Sequence, residues 1–202
     1  MICRPTLVLA CSLVTFVASA DTSPLKPVIP AHRDTGTTFT SDGRLNLPAD
    51  YREWIFLSSG LDMDYSDEAA GMDHSMFDNV FVDPASYRSF LQTGHWPEGT
   101  RFAKEPRAAA EKGSINKHGK YQSGAPMALE VHIKGSGRFA GGWAFFVFGS
   151  VSGEPARQIP TTANCYSCHQ QHGAVDTTFL QFYPTLLDIA TQKRTLSPGY
   201  QP

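Results

Sequence analysis

The chain has 202 residues, with 17 basic and 19 acidic side chains, 41% hydrophobic and 11% aromatic residues. That length and apolar content suit one well-buried domain and fall short of two. The near balance of charge, with no dense basic stripe, argues against nucleic acid as a partner.

Residues 1–20 have the layout of a secretory signal peptide. Arg4 supplies a positive charge, residues 6–17 are almost uninterruptedly apolar, and Ala18-Ser19-Ala20 forms a small-x-small cleavage site before Asp21. The apolar run is too short to cross a bilayer, which weighs against a retained anchor. A lipoprotein cleavage before Cys11 would leave an apolar region of only a few residues. Export through a cleaved signal places the mature chain in the periplasm, and no other apolar segment is long enough for a membrane span. Cleavage leaves 16 basic and 19 acidic residues, a net charge of −3, and removes Cys3 and Cys11. Exported proteins usually use cysteines for long-range disulfides. The two that remain, Cys165 and Cys168, are three positions apart and serve something local.

Residues 21–44, with repeated prolines and threonines, read as an extended arm. Residues 51–57 are aromatic and branched and read as a strand, or as a short helix leading into one. The acidic stretch 62–76 reads as an excursion loop. A short strand is expected at 79–82. Asp83 then suits an N-cap and Pro84 a first helical position, with Tyr87, Phe90 and Leu91 on one face and Gly94 as the stop. Residues 101–104 read as a strand and 111–126 as a polar loop. From Met127 to Lys134 the chain alternates, with Met127, Leu129, Val131 and Ile133 facing one way and Ala128, Glu130, His132 and Lys134 the other. Residues 143–148 are apolar on both faces, as in a central strand covered on both sides. The cysteine motif is expected in a loop, with Val175, Phe179, Phe182 and Leu186 marking a closing helix. The resulting fold class is α+β, a predominantly antiparallel β-sheet with several helices. The domain would span 45–190, followed by a tail at 191–202.

Cys165-Tyr166-Ser167-Cys168-His169 is the attachment signal for c-type haem. Two thiols at this spacing add across the vinyl groups of one porphyrin edge, and the adjacent histidine becomes the proximal iron ligand. A thioredoxin-like pair would need a strand and helix in a βαβ pattern, which is missing around residue 165. A zinc site would need two further ligands at suitable spacing. One covalent haem c is therefore expected, with His169 on the iron. The sixth position decides between electron transfer and small-molecule chemistry. Its candidates are Met63, Met72, Met76, Met127 and the histidines at 32, 74, 95, 118, 132 and 172.

Across residues 45–188 the chain resembles the cytochrome P460 family, which also contains the beta-sheet cytochromes c-prime. The matching stretches, in order, are Leu47-Pro48 with Tyr51-Arg52-Glu53-Trp54, Val80-Phe81-Val82-Asp83-Pro84 with Tyr87, and Thr93-Gly94 with Gly99-Thr100. They continue with Lys104-Glu105, Leu129-Glu130-Val131, Arg138-Phe139, Gly142-Trp143-Ala144-Phe145 and the haem motif. Val175-Asp176 and Phe182-Tyr183-Pro184 complete the pattern.

The resemblance implies a β-rich homodimer with an open distal iron site. It implies oxidation of hydroxylamine to nitrous oxide or nitric oxide, with electrons passed to an exported acceptor. Lys104 matches the lysine that such proteins bond to the porphyrin, and Glu130 a distal carboxylate able to accept protons. Read without the resemblance, Lys104 is a strand lysine, and Glu130 a rim partner of Lys134 or Arg138. Phe77 and Met76 are expected to line the distal pocket. In a different class stands a nitric oxide binding protein of the beta-type cytochrome c-prime kind, and beside it a plain electron carrier.

Overall fold

The computed structural model describes residues 36–63, 75–149, 151 and 153–200. The expected signal peptide, most of the arm, the excursion loop from 64 to 74 and the candidate ligands His32, Met72 and His74 lie outside the described residues.

Among the described residues six strands form one antiparallel sheet, the expected sheet with one strand more. They are β1 (Ile55–Leu61), β2 (Met76–Val82), β3 (Arg101–Glu111), β4 (Lys120–Ser123), β5 (Ala128–Lys134) and β6 (Trp143–Gly149). The order is β1-β2-β3-β5-β6, and β4 pairs with the far end of β3. Among the described residues three helices accompany the sheet: α1 (Pro84–Thr93), α2 (Asn164–His172) and α3 (Pro184–Lys193). A single 3-10 turn at Tyr51–Glu53 leads into β1.

Sequence chemistry explains the ends of α1. The Asp83 carboxylate accepts from Ser86 N–H, Pro84 stands in the first turn, and Gly94 closes the helix in the left-handed region at φ 75°. Asp83 also accepts from Arg101 N–H at 2.9 Å, which ties the start of α1 to the start of β3.

The sheet is buried on both faces. On one face Leu57, Val82, Phe102, Trp143 and Phe145 pack against side chains of α1, α3 and the segment between α2 and α3. Phe102 lies 4.8 Å from the Trp96 ring and 6.2 Å from Tyr183. On the other face Ala103, Leu129, Val131, Ile133, Ala144, Phe146 and Phe148 pack with Leu45, Tyr51 and Trp54. The alternation expected in β5 is observed, with Leu129, Val131 and Ile133 buried. Met127, expected to share their face, precedes the strand and is largely exposed.

Several expectations require correction. β3 runs to Glu111 rather than stopping near Lys104. Proline usually interrupts a strand, but β5 pairs with residues 101–104 and β4 with 108–111, so Pro106 falls in the gap between those partners. Its missing N–H costs no ladder bond there, while its carbonyl still accepts from Met127 N–H at 2.9 Å. The polar stretch 111–126 contains β4, a strand of exposed side chains held by backbone pairing and by Gln122 bonded to Asn79.

The cysteine motif lies on helix α2, not in a loop. That helix buries no residue completely, so it carries no apolar periodicity to read. The closing helix begins later than expected, at Pro184, because proline can open a helix but not continue one. Before it come a tight turn at 175–178 and a 3-10 turn at Leu180–Phe182. The described end of the arm folds back on the second core layer. Phe39 bridges to Leu45 and lies 6.1 Å from the Phe146 ring, under the Arg138 guanidinium.

Candidate functional site

The first face of the sheet is only partly covered by helices. Along β3, Phe102 packs beneath them, and Lys104, the next residue on that face, looks into a cavity. The same step occurs from His132 to Glu130 on β5, from Phe145 to Val147 on β6, and from Val82 to Val80 and Asp78 on β2. The cavity holds about 570 Å³ and is mainly apolar. That is within the range of roughly 300–1,000 Å³ usual for cofactor and ligand sites. Its opposite wall is α2, with Cys165, Cys168 and His169, followed by Phe179 and Phe182.

No disulfide joins Cys165 and Cys168. Three positions apart on a helix, they share one face, and both line the cavity. His169 follows at once, and its ring is fixed on several sides. Nδ1–H donates to the Thr177 carbonyl at 2.9 Å. From its centroid the ring centres of Phe179, Phe145 and His132 lie 4.2, 4.9 and 5.0 Å away, the last nearly perpendicular. Because a carbonyl can only accept, Nδ1 carries the proton and Nε2 keeps its lone pair for a metal. Burial pushes the His169 pKa below its ordinary value. The Thr177 carbonyl opposes that shift, and the Lys104 charge adds to it. His132 is held well below its ordinary value by burial first, then by His169 and Lys104. Both imidazoles are therefore neutral near neutral pH, the form that ligates metal.

A charged cluster lies in the sheet wall. Lys104 and Glu130 are direct cross-strand partners, and Nζ stands 3.1 Å from Glu130 Oε1. Asp78, diagonal to Lys104 across β2 and β3, brings Oδ1 to 3.4 Å, an ion-pair distance without hydrogen-bond geometry. Burial alone would lower the lysine pKa, but the Glu130 and Asp78 charges outweigh it and raise it. Glu130 thus pairs with Lys104, whereas Lys134 pairs with Asp176. His132, two residues along β5, contacts His169 and Phe145.

The structure brings Lys104, Glu130, Cys165, Cys168 and His169 around one cavity. Phe77 is not among them. It pairs with Leu61 and Arg107 on β2, and the alternate positions Asp78 and Val80 take the cavity wall. In a strand a displacement of one residue reverses the face, and nearness in sequence could not supply that parity. Met76 has the cavity-side parity but sits at the end of the strand, away from the lining. Of the described candidates for a sixth ligand, Met63 and His132 line the cavity, whereas Met76, Met127, His95, His118 and His172 do not. Asp78 escaped the sequence reading, although a lone carboxylate in phase with Val80 and Val82 was a usable signal.

These groups fit a haem. Two thiols on one helix face can take a porphyrin edge, a neutral imidazole offers its free nitrogen to iron, and aromatic walls suit a flat macrocycle. Together they define a haem-binding cytochrome. The family profile Cytochrome P460 matches residues 48–180, more than half of the chain, and the protein belongs to that family. No curated protein matches the chain.

Proposed function

We propose that the protein is an exported mono-haem c cytochrome that oxidises hydroxylamine. In this reading Cys165 and Cys168 hold the haem by thioether bonds, His169 is the axial ligand, and Lys104 forms a further bond to the macrocycle. The haem, when bound, supplies the iron that takes the substrate and the route for electrons to an exported acceptor. The observation that carries the reading is the position of Lys104, 3.1 Å from Glu130 in a cavity whose facing wall holds the cysteines and His169.

Converting two hydroxylamines to one nitrous oxide and one water releases four protons with four electrons. In this reading Glu130 receives protons, supported by its carboxylate lining the cavity beside Lys104. Asp78 gives the same wall a second carboxylate. The aromatic rings of Phe145 and Phe179 stiffen the histidine side, and Val80 and Val147 keep the remaining walls apolar.

The second reading is capture of nitric oxide without turnover. Its support is the predominantly apolar lining together with the raised lysine pKa, since an ammonium ion cannot act as a nucleophile toward the macrocycle. Turnover of hydroxylamine by haem-loaded protein with an electron acceptor separates the two. The first reading expects acceptor reduction that depends on Glu130; nitric oxide binding with no acceptor reduction favours the second.

A further inference from the structure

The ring of His169 is held from behind by a strained turn. Val175 and Thr178 pair as a two-residue hairpin, with Thr178 N–H donating to Val175 O at 2.8 Å. The central residues Asp176 and Thr177 have φ of 45° and 57°. Positive φ at both central positions is the mirror-image turn that Asn-Gly favours. A β-branched threonine there is an outlier, and it persists only where its surroundings hold it.

Asp176 supplies that hold. Its Oδ2 accepts from Trp96 N–H at 2.8 Å and from Lys134 Nζ at 3.2 Å, while Oδ1 meets His95 Nδ1 at 3.0 Å. Lys134 also donates to Trp96 O at 2.7 Å, and Trp96 Nε1–H donates to Thr178 Oγ1 at 3.0 Å. The turn is thereby fastened to β5 and to the loop after α1. It also lies directly against the end of α2: a Cβ on Gly173 would come within 2.6 Å of both His169 O and the Thr177 carbonyl carbon. The carbonyl that receives His169 Nδ1–H belongs to the residue immediately after Asp176.

We propose that Asp176, with Lys134 as its counter-charge, is a positioning residue for the iron ligand. It fixes the Thr177 carbonyl and so sets the orientation and donor strength of His169 Nε2. A fixed acceptor on Nδ1–H makes the far nitrogen a better donor, which strengthens the bond to iron and favours the oxidised state. This inference rests on the ligation of His169 proposed above. Asp176 does not line the cavity, so its effect passes through Thr177 and His169.

The test uses full-length, haem-loaded protein, read by the iron–histidine stretching band of the ferrous state and by the midpoint potential. Asp176→Ala is expected to lower the stretching frequency and raise the potential. Asp176→Asn keeps an acceptor for Trp96 N–H but loses the charge facing Lys134, and should fall between. Adding Thr177→Gly to Asp176→Ala relaxes the left-handed strain and should return both readouts toward the starting values. An unmoved band and potential in Asp176→Asn and Asp176→Ala overturn the inference, and Asp176→Asn alone decides it if the alanine variant does not mature. Absence of the band from five-coordinate ferrous unsubstituted protein overturns the His169 assignment itself, a distinguishable failure that removes this inference with it.

Discussion

Lys104 stands between Glu130 at 3.1 Å and Asp78 at 3.4 Å, and its charge state governs what it can do. Its pKa is raised in the folded chain because the two carboxylates outweigh burial. The sign follows directly: the contribution to stability is fully present below the unfolded value near pH 10.5 and is lost as pH rises through the folded one. In chain lacking haem, Lys104→Met should therefore be less stable than the parent near neutral pH, with the gap narrowing above about pH 10.5. Denaturant unfolding at the two pH values measures it, and a gap that stays constant contradicts the pairing. For Glu130 the expected behaviour is kinetic. Glu130→Gln should bind hydroxylamine as before and oxidise it roughly 10²–10⁴-fold more slowly, the usual worth of a positioned base. Steady-state turnover beside a binding titration checks this, and undiminished turnover removes Glu130 from the proton path.

The elements show why some parts of the chain are legible in sequence and others are not. α1 is readable because its ends are set by local chemistry at Asp83, Pro84 and Gly94. Asp83→Ala removes the cap on Ser86 N–H and the bond to Arg101 N–H together. It should destabilise the fold by about 1–3 kcal/mol, measured by chemical denaturation; a loss near zero would mean that water replaces both bonds. β5 and β6 are readable because alternation and continuous apolarity reflect burial on one face or two. α2 and β4 are not, because α2 completely buries none of its residues and β4 exposes nearly all of its side chains, so neither leaves a periodic apolar trace. Phe77 fails at the same scale. The strand was expected only from Asn79, and without the register of β2 against β3 the inward parity of Asp78 and Val80 stays hidden. Gly173 belongs here too. Its substitution by alanine should push the 175–178 turn away from α2, since the added carbon would stand 2.6 Å from Thr177 backbone. A lowered yield of haem-loaded protein, or an altered ferrous spectrum, is the expected result, and a variant identical to the parent in both would show that the turn can shift freely.

For the whole molecule, one sheet separates two packed layers, and among the described residues helices cover only part of one face. The uncovered part becomes the cavity. A single row of alternate positions thus changes role along its length, from Phe102 in the core to Lys104 at the site. The cysteine–histidine motif was legible alone because its spacing encodes its chemistry. Lys104 and Glu130 were legible only through family resemblance, since their meeting depends on pairing β3 with β5 across the intervening loop and β4 at 112–127. Among the described residues no helix is long and apolar enough to cross a membrane. The proposed function stands or falls on whether Lys104, Cys165 and Cys168 all bond to one haem. The direct measurement is the mass of the haem-bearing peptides after proteolysis of haem-loaded protein, read beside the ferrous absorption spectrum. One haem joining the Cys165–Cys168 peptide to the Lys104 peptide, with a strongly red-shifted Soret band, is the expected result. Haem on the cysteine peptide alone, with an ordinary c-type spectrum, would contradict it and leave Lys104 as the ion-pair partner of Glu130.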